Sequence, residues 1–136
     1  MQRLRTVLLR HARRGDTHFD WMFETPGRGA PIAPLTTFRL ALPWEHWTQV
    51  GQIALTPLPP HRRAYLSRQG PVSGGRGFVT RVATGTLDVA DWHTAGARLV
   101  LQSDANATAI DITLKHATGK NASFYAAAFG SAAAKR

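Results

Sequence analysis

His11, His18 and Asp20 bring two imidazoles and a carboxylate within ten residues of one another. The stretch Thr17 to Glu24 alternates strictly, with His18, Asp20, Met22 and Glu24 on one face and Phe19, Trp21 and Phe23 on the other. Period two is the signature of an extended strand, so His18 and Asp20 project together. The aromatic face packs a core, and the polar face then points into a cleft or into solvent. Ala12-Arg13-Arg14-Gly15-Asp16 is a short Gly-containing loop suited to a hairpin from a preceding strand. That hairpin returns His11 beside His18, with directly opposed Cβ atoms ~5 Å apart. Two nitrogens and one carboxylate make a mixed site with open coordination positions, compatible with Mn, Fe, Co, Ni or Zn. An open position is what metal-assisted hydrolysis requires, either to polarise a phosphoryl oxygen or to hold a water. The plainer alternative is an exposed hairpin carrying ordinary surface histidines.

A second cluster is His61-Arg62-Arg63-Ala64-Tyr65, followed by the Gly-rich run Gly70-Pro71-Val72-Ser73-Gly74-Gly75-Arg76-Gly77. His61 and Tyr65 share a face whether the segment is extended or helical. Guanidinium groups match phosphate oxygens in a planar, bidentate fashion, and a Gly-rich loop lets backbone N–H groups approach an anion. The plainer alternative here is a basic turn with a flexible loop. The remaining histidines carry less: His46 lies between Trp44 and Trp47 as packing or surface, His93 reads as a turn residue, and His116 follows Lys115 near a turn.

The elements that position these residues are strands. Candidates are Thr6 to His11, Thr17 to Glu24, Thr36 to Leu42, Gln52 to Thr56, Gly77 to Val82, Gly85 to Val89, Ala97 to Gln102, Ala107 to Leu114 and Ser123 to Phe129. Turn signals separate them at Pro26 to Gly29, Gly74-Gly75, Thr84-Gly85, Asp104 to Asn106 and Thr118 to Asn121. Many short strands with such punctuation predict an all-β barrel or sandwich. Only Pro43 to Trp47 reads as a helical turn, with Pro at its first position. No repeat, coiled coil or internal boundary is visible, so residues 1–130 read as one domain and 131–136 as a flexible tail.

A chain of 136 residues supports one hydrophobic core. An apolar share of 43% against 18% charged residues argues for a folded domain rather than disorder. Seventeen Lys and Arg against eight Asp and Glu give a net charge of +9, which favours a polyanionic partner, nucleic acid first among them, or simply a basic surface. The absence of cysteine excludes disulfides, thiolate catalysis and zinc-finger ligation and suits a reducing cytoplasm. The apolar run Val7-Leu8-Leu9 is too short for a signal peptide, and nothing approaches the ~20 apolar residues of a membrane-spanning helix. A cytoplasmic protein without a membrane partner is expected.

Taken in order, the two clusters resemble a known family. His11-Ala-Arg-Arg-Gly-Asp-Thr-His18-Phe-Asp20-Trp-Met-Phe-Glu24 is similar to the His-x-x-x-x-x-His-Tyr-Asp-Phe-Arg-Leu-Glu signature of the 3′-phosphoesterase domain of bacterial DNA ligase D. His61-x-x-x-Tyr65, then Gly70-Pro71, a Gly-rich turn and Arg81-Val82-Ala83-Thr84-Gly85-Thr86, resembles that domain's second signature and the strand after it. The similarity spans Arg5 to Phe129. It implies a compact antiparallel barrel of about eight strands that trims 3′-phosphates and 3′-ribonucleotides from DNA ends with a divalent metal, typically manganese. By the resemblance, His11, His18 and Asp20 hold the metal, while His61 and Tyr65 contact the scissile phosphate. It further implies a role in DNA repair as a stand-alone hydrolase, with separate ligase or polymerase proteins as partners.

Three departures stand out. The loop between His11 and His18 is one residue longer than in the family. Its arginine two residues after the aspartate is Met22, and another on the strand before the second signature falls on Gln52. Arg39, Arg62, Arg63 and Arg76 are the candidates to grip phosphate in their place. The runner-up readings are a metallo-phosphoesterase for a small or cyclic phosphoester and a non-catalytic nucleic-acid-binding barrel.

Overall fold

The computed structural model describes residues 2–27, 29, 32–72, 74–105, 109–118 and 123–131. Nine strands run in chain order: β1 (Gln2–Arg13), β2 (Asp16–Glu24), β3 (Leu35–Leu40), β4 (Gln52–His61), β5 (Gly70–Pro71), β6 (Phe78–His93), β7 (Gly96–Ser103), β8 (Ile110–Thr118) and β9 (Ser123–Ser131). A 3-10 turn at Trp44–His46 leads into α1 (Trp47–Val50), and a second 3-10 turn at Arg63–Leu66 follows β4. Pairing proceeds β1-β2-β3-β4-β9-β8-β7-β6, and β6 returns antiparallel to β1. That last pairing closes an antiparallel barrel of eight strands, with the short β5 added to the start of β6. The all-β barrel expected from the sequence is therefore the fold.

The aromatic face of β2 fills the barrel. Trp21 and Phe23 are fully buried with Leu4, Leu8, Phe38 and Leu87, and Trp47 of α1 stacks on Phe129 at 4.7 Å between ring centres. The indole of Trp21 donates to Thr6 Oγ1 at 2.8 Å, and that hydroxyl donates to the Met22 carbonyl, so this polar edge inside the barrel is satisfied.

The opposite face of β2 is also buried, which the alternation alone did not require. Chain from the end of β4 through β5 crosses the outside of β1 and β2. Beneath it Val7, Leu9, Met22, Leu35, Leu66 and Val79 form a second apolar cluster. This outer cluster lies between barrel wall and covering segment, and the candidate site opens beside it.

The sequence reading missed one strand relationship of consequence. The predicted strands Gly77 to Val82 and Gly85 to Val89 merge, from Phe78 on, into the single 16-residue strand β6, with no turn at Thr84-Gly85. Gly85 marks a close backbone approach: a Cβ there would stand 2.3 Å from the Gln102 carbonyl oxygen. The bend that strand needs comes from a register shift against β1, where Leu8 faces Ala83 and Leu9 faces Arg81, leaving Val82 extra.

Smaller differences are extensions. β1 reaches back to Gln2, β4 runs on to His61, and His93 closes β6 rather than sitting in the turn. The turns predicted at Pro26 to Gly29, Asp104 to Asn106 and Thr118 to Asn121, and the start of the Ala107 strand, fall partly outside the described residues. Of the predicted tail, Ser131 ends β9 and 132–136 lie outside them. Among the described residues, no helix is long and apolar enough to cross a membrane.

Candidate metal centre

β1 and β2 are joined by a tight turn at Arg14-Gly15, with Gly15 at φ 72°, a conformation glycine adopts without penalty. The register this turn sets puts His11 directly opposite His18 and Leu9 opposite Asp20. Their side chains emerge on the outer face of the barrel wall, next to the apolar cluster under the covering segment. One donor atom from each of His11, His18 and Asp20 lies within 4.8 Å of the other two. Bonds to a divalent ion run ~2.0–2.2 Å, so donors sharing one ion stand ~3–4.4 Å apart, and small rotations close the difference.

Hydrogen bonding sets the histidine nitrogens. His11 Nε2 donates to the Arg76 carbonyl at 2.6 Å, and a carbonyl only accepts, so this nitrogen carries the proton. In the neutral ring the lone pair then belongs to Nδ1, which faces Asp20 Oδ2 at 3.7 Å. A ligand imidazole anchored through its other N–H to a backbone carbonyl is the usual outer support of a metal centre. His18 stands between two carboxylates, with Nε2 3.2 Å from Asp20 Oδ1 and Nδ1 3.4 Å from Asp16 Oδ2. Neither approach has hydrogen-bond geometry, and both His18 nitrogens and Asp20 Oδ1 are buried without a hydrogen-bond partner. Buried polar atoms left unpaired at one point are unfavourable unless something else bonds them there. The donor set and these orphaned atoms fit a divalent ion.

Burial pushes the Asp20 carboxyl above the ordinary carboxylate range, and the neighbouring His18, His11, His61 and Arg39 only partly offset it. Arg39 faces Asp20 directly across β2 and β3, and its Nε is buried with no hydrogen-bond partner. It lines the same cavity of about 680 Å³, which the three donors floor and which Arg13, His61, Arg62, Tyr65 and Arg76 surround. His61 donates from Nδ1 to the Pro59 carbonyl at 2.7 Å, leaving Nε2 as its reactive nitrogen, and packs edge-on to Tyr65 at 5.7 Å.

The residues singled out in the sequence thus divide. His11, His18, Asp20, His61, Tyr65, Arg39, Arg62 and Arg76 all line one cavity. Arg63 does not: its guanidinium pairs with Glu24 Oε2 at 2.8 Å, while Glu24 Oε1 accepts the Arg5 backbone N–H at 2.7 Å. Arg63 is thereby a fastener for the covering segment rather than part of the cavity wall. Gln52 is also outside the cavity, at the far end of β4 opposite Ala128 of β9. Met22 lines the cavity but belongs to the outer apolar cluster with 1% exposure. Arg13 and the Leu58-Pro59-Pro60 wall were missed. Arg13 ends the strand that carries His11, a signal readable once the hairpin is drawn, whereas the prolines gave no chemical signal.

No protein-family model and no curated protein matches this chain.

Proposed function

We propose that this protein is a divalent-metal-dependent phosphoesterase that trims 3′-phosphate or 3′-ribonucleotide ends of DNA. The observation that carries the reading is the convergence of His11, His18 and Asp20 in an arginine-lined cavity, with the His18 nitrogens and Asp20 Oδ1 buried and unpaired. A divalent ion, manganese by the resemblance, would supply Lewis-acid polarisation of the phosphoryl group and a more acidic water.

The chain's own groups have separable tasks. Arg39 lines the cavity beside Asp20 with its buried Nε unpartnered, and its guanidinium is the one assigned to a phosphoryl oxygen, with Arg62 and Arg76 at the rim. In hydrolysis a water oxygen forms the new bond to phosphorus, the bond from phosphorus to the sugar 3′ oxygen breaks, and that oxygen takes a proton. His61, oriented through Nδ1 by Pro59, presents Nε2 to deliver it from the doubly protonated ring, and the proton lost by the attacking water restores that form. Tyr65 holds the imidazole edge-on and offers a hydroxyl to the same phosphate.

Calorimetry should find one manganese ion per wild-type chain and none for Asp20→Ala. A primer ending in a 3′-phosphate or a single ribonucleotide should be shortened when manganese is present. His61→Ala should keep the ion and lose turnover by about 10²-fold or more. An ion-loaded protein that trims neither end with any divalent metal would leave a nucleic-acid-binding barrel or a small cyclic phosphoester as the better reading.

A further inference from the structure

The 3-10 turn Arg63–Leu66 forms a partition on the outside of the barrel. Tyr65 faces the cavity just described, whereas Leu66 and Ser67 face a second one of about 360 Å³ on the other side. Val7 and Thr84, paired across β1 and β6, lie in its wall with Arg5 and Arg81. Arg81 is held by its backbone, whose N–H donates to Gln69 Oε1 at 2.8 Å, and lightly by its side chain, which reaches the Leu66 carbonyl at 3.4 Å. The Arg5 guanidinium has no hydrogen-bond or ion-pair partner among the described residues. The nearby carboxylate of Asp104 accepts a hydrogen bond from the Thr84 hydroxyl at 2.6 Å, and neither arginine pairs with it. A third hollow of about 210 Å³ shares Arg81, Thr84 and Asp104 with the second, so the depression continues as a groove.

We infer that this groove binds the phosphodiester backbone of the same nucleic-acid strand whose 3′ end enters the first cavity, with Arg5 and Arg81 as the phosphate contacts. The inference rests on the phosphoesterase reading and extends it, from a site for a terminal phosphate to one that requires a strand. Both cavities open on the outer face that β1 presents. His11 and Val7 are four residues apart on that strand, which at ~3.3 Å per residue is ~13 Å. A nucleic-acid strand advances ~3.4 Å per nucleotide when stacked and further when stretched, so the groove meets the backbone some two to four nucleotides from the end. An elongated groove with two guanidiniums suits a repeating anion better than a compact ligand.

The test is binding, measured by fluorescence anisotropy or calorimetry with 3′-phosphorylated oligodeoxynucleotides of two, four and eight residues, with and without manganese. Wild type should bind the eight-residue strand at least tenfold more tightly than the two-residue one. Arg5→Ala/Arg81→Ala should erase that gain while leaving the dinucleotide affinity unchanged. Arg5→Lys/Arg81→Lys should retain most of the gain, and matching thermal melts would show both variants folded. Equal affinity for short and long strands in wild type would overturn the inference, and so would a length gain that survives in the alanine double variant. Should long strands bind through Arg5 and Arg81 while no end is trimmed with any metal, the groove stands and the catalytic reading falls.

Discussion

Asp20 sits where its charge is poorly solvated, 3% exposed between two imidazoles. Its folded-state carboxyl holds a proton more tightly than the unfolded chain does, because desolvation outweighs the nearby positive groups. The metal-free fold therefore has its full stability below the ordinary carboxylate range and loses part of it as pH rises through the raised native value. Asp20→Asn removes that loss, so in chelator the variant should be the more stable of the two at neutral pH, by urea denaturation. With saturating manganese the order should invert. Wild type gains ~2.7 kcal/mol at an ion concentration a hundred times Kd, whereas the variant lacks the ligand. A metal-free wild type whose stability did not decline relative to Asp20→Asn with rising pH would mean that burial does not dominate at this carboxyl. At the same scale, an arginine at position 22 would enter the apolar cluster of Leu9, Leu35 and Leu66, an environment that penalises charge. Arg39, one strand away, lines the cavity and lies opposite the Asp20 carboxylate rather than within that cluster.

At the scale of elements, glycines that read as turn signals do two different jobs. Gly15 makes a turn, and Gly85 lets three strands meet. Gly85→Ala should destabilise the fold by about 1–3 kcal/mol, read from the urea midpoint, because its Cβ would press on the Gln102 carbonyl. Gly130→Ala on β9 meets nothing within 4 Å and should be close to neutral. The convergence of His11, His18 and Asp20 was legible because strand period and hairpin return are local rules, and they fixed which faces of β1 and β2 the three occupy. The continuity of β6 was not legible, since Thr84-Gly85 carries the same letters in a turn and in a crowded bend. Nor was the fate of Arg63, decided by Glu24 some forty positions earlier in the chain. The outer apolar cluster was hidden for a related reason. Met22 belongs to a polar stripe by spacing, and only the covering segment makes its environment dry.

Across the whole molecule, the +9 charge and the closed barrel act together. Closure leaves few free strand edges, so any attraction for a polyanion would be expressed through side chains on the barrel's outer wall. DNA affinity should fall with salt, with log K changing by about −0.7 to −0.9 per phosphate neutralised for each decade of salt. Arg62→Ala should flatten that slope by about one phosphate's worth. Arg63→Ala should leave the slope alone and instead lower stability by about 1–3 kcal/mol, since it strands the Glu24 carboxylate. Melting curves beside a salt titration separate the two neighbours, and a slope equally sensitive to both would contradict the division of labour between them.

One bond ties these scales together. The N–H of His11 that fixes its ring ends on the carbonyl of Arg76, a residue of the Gly-rich loop. Gly77, which follows it, runs at φ 95° so close to β1 that a Cβ would stand 2.2 Å from the Ala12 carbonyl oxygen. The loop is thus seated against the same strand end whose imidazole it orients. Linkage between two ligands is reciprocal, so if the centre holds an ion, an anion that draws Arg76 toward itself would alter the grip on that ion by the same factor as the ion alters the anion's own binding. An ion at the centre and an anion on the loop would then form a small cooperative pair, joined through the Arg76 carbonyl oxygen.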